Sequence, residues 1–208
     1  MSRRPGRSAA GRGRVNVEGG AVQRLTRIRF LVFPDNGLFR VHGLGARFDR
    51  GAAPGLAGGS LLACGPEHLE LSTLQGRIEV SVVLEEWDQL PGPDADTGPE
   101  AVPWEEAGTA TVFLRGYVSV GTDTSGRTLG VRLAGGTGGY HVEVRARRRH
   151  AVAARYDHLL QHYRDHGSAE FRRAAESLRG QEEFLLRLSP AGRTSGNDPV
   201  RYPTVVSG

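Results

Sequence analysis

The 208-residue sequence predicts a mainly β fold, an antiparallel β-sandwich of seven or eight strands, and three observations carry that expectation. Apolar residues alternate with polar ones through most of the middle of the chain, which gives each strand one apolar face and points to antiparallel sheets sharing an interior. Turn chemistry separates the alternating runs. A composition of 38% hydrophobic and 24% charged residues supplies a core, while 30 glycines suit many hairpin connections.

Taken in order, Ile28, Phe30 and Val32 alternate with Arg27, Arg29 and Leu31. Pro34-Asp35-Asn36-Gly37 follows as a turn, since Asn-Gly supplies the positive φ of a tight hairpin. A short strand returns over Leu38 to Val41, and a Gly- and Ala-rich stretch from Gly43 to Gly59 leads to Leu61–Ala63 and then Leu69 and Leu71. The clearest strand sets Ile78, Val80, Val82 and Leu84 against Arg77, Glu79, Ser81 and Glu85. Ala110 to Val120 alternates next, then Leu129, Val131 and Leu133, and then Tyr140, Val142 and Val144. Between the last two, Gly135-Gly136-Thr137-Gly138-Gly139 reads as a hairpin connection. No helix follows these glycines, as a phosphate-binding loop would require. Phe184, Leu186 and Leu188 make the final strand, which stops at Pro190.

One segment breaks the period of two. Val152, Tyr156, Leu159, Leu160 and Tyr163 fall on one helical face, Gly167 ends that helix, and Ser168 caps another carrying Phe171, Ala174, Ala175 and Leu178. A helical hairpin over 151–179 therefore stands before the last strand. The expected organisation is a disordered Arg/Gly-rich arm over 1–20, a sandwich domain over 21–190 and a flexible tail over 191–208.

Charge is unevenly placed. All 27 basic residues are arginine, so lysine chemistry is excluded, and the net charge is +4. Residues 1–29 hold eight arginines against Glu18 alone, which leaves the rest of the chain mildly acidic. From Glu85 to Glu106 there are eight acids and no arginine, whereas Arg145, Arg147, Arg148 and Arg149 form a basic run; the sequence does not decide whether the two pair. Arg3-Arg4 is not followed by an apolar run, so no export signal is expected, and no stretch approaches the length of a membrane span. The expected setting is cytoplasmic. One cysteine, Cys64, excludes a disulfide framework and any multi-cysteine zinc site.

Two sets of residues are candidates for function. Glu85, Glu86, Asp88, Glu105 and Glu106 form an acidic partner-binding set that could mimic nucleic-acid charge toward a basic protein. His158, His162 and His166 recur every four residues on the first predicted helix, a spacing that lets imidazoles share a metal. No glutamate completes a metalloprotease pattern, and His68-Leu69-Glu70 lacks the cysteine pair of zinc deaminases. No nucleophile stands beside an argued base. No cofactor is expected.

Two strands resemble known ones in residue detail. Gly139-Tyr140-His141-Val142-Glu143-Val144-Arg145-Ala146-Arg147 resembles the strand G-T-Y-R-V-R-V-x-A-R-G, and Glu182 to Pro190 resembles its usual successor E-x-Y-L-I-Q-L-W-P. The pairing is similar to that of uncharacterised actinobacterial β-sandwich proteins. More remotely, the strand order over about 27–190 resembles the competence protein J family, inhibitors of a DNA-entry nuclease. The helical insertion and Ser189 in place of tryptophan depart from that pattern, and no catalytic residue carries over. The sequence thus reads as a non-enzymatic protein-interaction module, with the resemblance implying a nuclease-inhibitor or immunity-like role. Metal binding through the histidines and non-specific nucleic-acid binding through the N-terminal arm are the alternatives.

Overall fold

The structure, a computed structural model, describes residues 22–46, 60–92, 103–122 and 128–192. The alternating runs form β1 (Arg24–Val32), β2 (Leu38–Gly43), β3 (Leu62–Cys64), β4 (His68–Ser72), β5 (Val80–Trp87), β6 (Glu106–Gly121), β7 (Thr128–Arg147) and β8 (Glu183–Pro190). Two helices, α1 (Arg149–His162) and α2 (Ala169–Glu176), lie between β7 and β8 in the chain. Ser168 caps α2 as its sequence position predicts, its hydroxyl accepting from the Phe171 N–H at 3.1 Å.

The strands join into one hydrogen-bonded sheet, in the order β1-β5-β8-β7-β6-β2-β4-β3. The expected antiparallel sandwich is corrected in two respects. One continuous sheet stands where two facing sheets were expected, and it is mixed, because β5 and β8 run parallel. Side-chain alternation is the same in parallel and antiparallel strands, so periodicity could not distinguish them. What makes the pair parallel is topology. β8 inserts between β5 and β7, and the chain leaving Trp87 must cross back before β6 starts at Glu106. Parallel connections need a dozen or more residues. The acidic stretch predicted from sequence begins in β5 at Glu85 and ends in β6 at Glu106, and its Asp94, Asp96 and Glu100 lie outside the described residues.

β6 and β7 are long enough to bend. Their register shifts between Arg115 and Tyr117, where Gly116 has φ +73°, and Gly136 opposite has the same φ. That positive φ is costly for a side chain bearing a Cβ, which is why glycine stands at the bend. Gly135 to Gly139 is accordingly the middle of one strand, and the two strands expected on either side of it are a single one. Beyond the bend β2, β4 and β3 curl back over the rest of the sheet. Phe39 on β2 meets Phe184 on β8 edge-on at 5.0 Å between ring centroids. Three strand spacings of about 4.8 Å would hold them about 14 Å apart in a flat sheet. The short β3 closes onto β6, with the Pro66 carbonyl accepting from the Phe113 N–H at 3.0 Å.

The apolar faces meet inside this curl. Val41, Leu69, Leu71, Val80, Leu84, Leu114, Val144 and Leu186 are among its fully buried residues. A smaller cluster of Val152, Phe171, Ala175 and Leu178 joins the helices to Ile78. Removing the Phe39 ring leaves a cavity where the curled layers meet, so Phe39→Ala should cost about 3–5 kcal/mol in urea unfolding. Phe39→Leu should cost less than half of that; equal losses would mean the ring does not bridge the layers.

Candidate functional site

The outward face of β1, β5, β8 and β7 carries a row of alternating charge. The pairing registers set Arg27 opposite Glu85, Glu85 beside Arg187, and Arg187 opposite Glu143. Each position faces outward because its neighbours in sequence, such as Leu84, Leu186 and Val144, point into the core. Glu85 is the centre of the row. Its Oε1 takes Arg24 Nη1 at 3.1 Å and lies 3.5 Å from Arg27 Nη1, while its Oε2 accepts from Trp87 Nε1 at 3.0 Å and Arg187 Nε at 3.2 Å. The Arg24 and Arg187 guanidiniums lie 5.6 and 5.8 Å from the Trp87 ring centroid, within reach of cation–π attraction.

A second junction forms at Glu183, at the start of β8. Arg147 donates to it at 2.7 Å, Arg29 at 3.2 Å and Arg148 at 3.5 Å, and Arg147 lies 4.6 Å from the centroid of Trp104. Arg29 belongs to β1 and Glu183 to β8, so the Arg29 side chain crosses β5. Glu143 Oε1 also receives Arg145, at 2.8 Å. In this network seven arginines share three glutamates. The carboxylates lie deep, with Glu85 3% and Glu183 11% exposed, whereas the Arg24, Arg27 and Arg29 side chains are 41%, 55% and 63% exposed. The exposed side of this network is therefore made of arginine.

This placement corrects the sequence-based view of the acidic set. Glu85 and Glu86 are buried and do not belong to an exposed acidic patch. Glu86 points to the opposite face and accepts the Ala134 and Gly135 N–H groups at 2.9 Å each, fixing β7 at its bend. Burial, reinforced by the Glu86 charge, pushes the Tyr140 hydroxyl up to about 12, and that hydroxyl donates to the Gly136 carbonyl at 2.9 Å. Asp88 remains exposed and receives the Gln23 N–H at 2.9 Å. Glu105 accepts the Arg148 N–H at 2.8 Å, and Glu106 accepts from Arg149. Of the basic run, Arg149 pairs with Glu106 of the acidic stretch, whereas Arg145 pairs with Glu143, and Arg147 and Arg148 with Glu183, outside it.

The histidines do not converge. His158 and His162 stack along α1 with ring centroids 6.1 Å apart, but the helix ends at His162. His166 lies beyond it, with Nε2 2.9 Å from the Leu160 carbonyl and its ring 5.1 Å from Phe171. Helical spacing continued past the end of the helix, so the third imidazole is turned away. Among the described residues no three metal-ligating side chains form a candidate metal site. Cys64 is half-buried, its thiol donates toward the Thr111 carbonyl at 3.4 Å, and burial pushes it up, away from a reactive thiolate.

Sequence reasoning missed a buried polar junction between the helical hairpin and the sheet. Arg149 opens α1 and is fully buried; it donates to Glu106, and its Nε lies 3.9 Å from Glu182 Oε1. That separation is too long for a hydrogen bond. Gln75 donates to the other Glu182 oxygen at 3.4 Å. Burial pushes the Glu182 carboxyl up to about 7; Gln75 and Arg149 pull it back, and Glu106 adds to the rise. Nothing in the local sequence signals this, because Glu182 and Glu183 are adjacent glutamates that point to opposite sides of the chain.

Two predictions follow from the depth of these groups. Exposed ion pairs contribute about 0–1 kcal/mol, but removing one partner of a buried pair costs about 3–5 kcal/mol. Arg187→Met should therefore destabilise by about 3–5 kcal/mol, with Glu85→Gln in the same background recovering part of it in denaturant unfolding. An additive double variant would refute the coupling. For Glu182 the folded value lies above the ordinary 4.5, so the folded chain retains a proton that the unfolded chain releases. Its contribution is most favourable below pH 4.5 and is lost as pH rises to about 7. Relative to the native chain, Glu182→Gln should gain about 3 kcal/mol in stability between pH 4 and pH 8. An unchanged difference across that range would show that the carboxyl titrates normally.

No family model and no curated protein sequence matches the chain. Among solved structures it is remotely similar to the crystal structure of ComJ, inhibitor of the DNA degrading activity of NucA, from Bacillus subtilis, with a TM-score of 0.46 and 7% identity. It is also remotely similar to a protein described as crocagin biosynthetic gene J, with a TM-score of 0.43 and 14% identity. Each comparison covers 83% of this chain and 100% of the other. These are resemblances of structure at a distance.

Proposed function

We propose that this chain is a protein-interaction module that docks an acidic protein through the arginine face of β1, β5, β8 and β7. One observation carries the reading: the carboxylates of the network are buried and engaged, whereas the Arg24, Arg27 and Arg29 side chains that reach them remain about half exposed. The expected partner charge is thereby opposite to that of a basic protein bound by a nucleic-acid mimic. Glu85 and Glu183 serve beneath the face, holding the arginines in place. A preorganised guanidinium loses less side-chain freedom when a carboxylate arrives, and a face of one sign accelerates encounter with a partner of the other.

The composition of β1 favours a protein over a polyanion such as nucleic acid. Leu25 and Leu31 stand among its arginines, and Phe33 follows; all three are exposed. Arginine mixed with large apolar side chains is the make-up of protein interfaces, whereas a phosphate backbone makes no use of exposed leucine. No helix among the described residues is long and apolar enough to cross a membrane.

The test is a pull-down from lysate with the native chain and with Arg24→Gln, Arg27→Gln and Arg29→Gln combined. Arg24 and Arg29 also donate to the buried Glu85 and Glu183, so urea unfolding of the triple variant is measured alongside, with Arg27→Gln alone as the variant that spares those two hydrogen bonds. The substitutions should weaken capture of the partner protein about tenfold or more, and nuclease treatment should leave capture by the native chain unchanged. Capture that survives the substitutions, or that disappears with nuclease, refutes the proposal.

A further inference from the structure

β1 stands at the end of the strand order, paired with β5 along one edge. Among the described residues no strand pairs with its other edge, which runs for nine residues. The opposite end of the sheet differs. β3 has three residues, and its Cys64 thiol and the following turn reach β6. Proteins usually blunt a long edge with proline, an inward-pointing charge or a covering element. β1 has no proline, and its inward residues are Ile28, Phe30 and Val32. One irregularity lies at its very start, between Arg24 and Thr26. Its remaining protection is the arginine on its outward face, which acts against a second copy of itself: antiparallel self-pairing would set arginine against arginine. An acidic strand would meet no such repulsion.

We infer that the free edge of β1 accepts an extended acidic segment of a partner protein as an additional strand. This rests on the reading of the arginine face above and specifies how the partner is held. The alternation of β1 sets the sequence of the guest. Residues beside Arg27 and Arg29 on the outward face would be Asp or Glu. Residues on the inward face would be apolar, because Ile28 and Phe30 are only half-buried there and pack against the core rim. Main-chain hydrogen bonds would supply affinity, and the alternating acidic and apolar side chains would supply selection. Leu31, exposed at the far end of the outward face, would give one apolar contact beyond the arginines.

Amide hydrogen exchange of the full chain tests this with a synthetic peptide about as long as β1, alternating glutamate and valine. The peptide should bind, and every second β1 amide, those turned away from β5, should slow about tenfold or more. The same peptide N-methylated at alternate residues should not bind in the register that needs those N–H groups. Arg24→Gln, Arg27→Gln and Arg29→Gln combined should weaken the unmodified peptide about tenfold. Three outcomes overturn the inference. Binding without β1 protection would leave the arginine face standing and remove the edge. Alternate protection already present in the free protein would mean that the chain covers its own edge. A single-stranded DNA of equal charge that displaces the peptide without slowing any β1 amide, while the methylated peptide binds as well as the unmodified one, would make the contact one of charge alone.

Discussion

The Glu85 carboxylate ties together three strands that local sequence would not have assembled. It is buried on the outward face of β5, and a buried carboxylate is tolerated only when its lone pairs are met. Donors come from β1 on one side, from β8 on the other, and from Trp87 on its own strand. β5 and β8 are the parallel pair of the sheet, so this single group stabilises the pairing that a simple succession of hairpins would not make. Arg187 carries the connection onward to Glu143 on β7. The row then determines the surface. With the carboxylates consumed below, the outer ends of the β1 arginines are what remain for solvent or a partner.

The inward neighbour does a different task with the same side chain. Glu86 receives two backbone N–H groups from β7 where that strand bends, and Gly116 and Gly136 take the positive φ that the bend requires. Two consecutive glutamates therefore secure the two features of the fold least visible in periodicity: the parallel pairing and the curl. The curl in turn brings Phe39 onto Phe184 and closes the core. At the base of the helical hairpin, Arg149, Glu106 and Glu182 form a third buried polar junction. Burial there pushes the Glu182 carboxyl up to about 7, and Arg149, 3.9 Å away, pulls it back only in part.

Legibility in the sequence followed locality. The strands of β5 and β8, the capped second helix at Ser168 and the Asn36-Gly37 turn were each readable, because propensity, capping and alternation act over a few residues. The acidic set was identified by composition but misplaced in depth. A carboxylate beside no arginine in sequence looks exposed, yet Arg187 lies opposite Glu85 only after β8 has inserted beside β5. The histidine spacing failed for the converse reason: it was helical arithmetic carried past Tyr163, where the helix stops.

The sequence by itself determined most of the strands and helices and which face of each is apolar, the glycine run 135–139 inside β7 excepted. It also determined that basic charge is all arginine and concentrated toward the N-terminus. Those properties depend on residue type and on spacing within one element. The tertiary structure alone decided that β8 enters beside β5, that eight strands make one curled sheet, and that the acids become supports for an exposed arginine face. The physical reason is that a charge acquires its role from what desolvates it and what donates to it. For Glu85 and Glu183 the arginines that donate to them lie about 35 to 150 residues away in the chain and one or two strands away in the sheet.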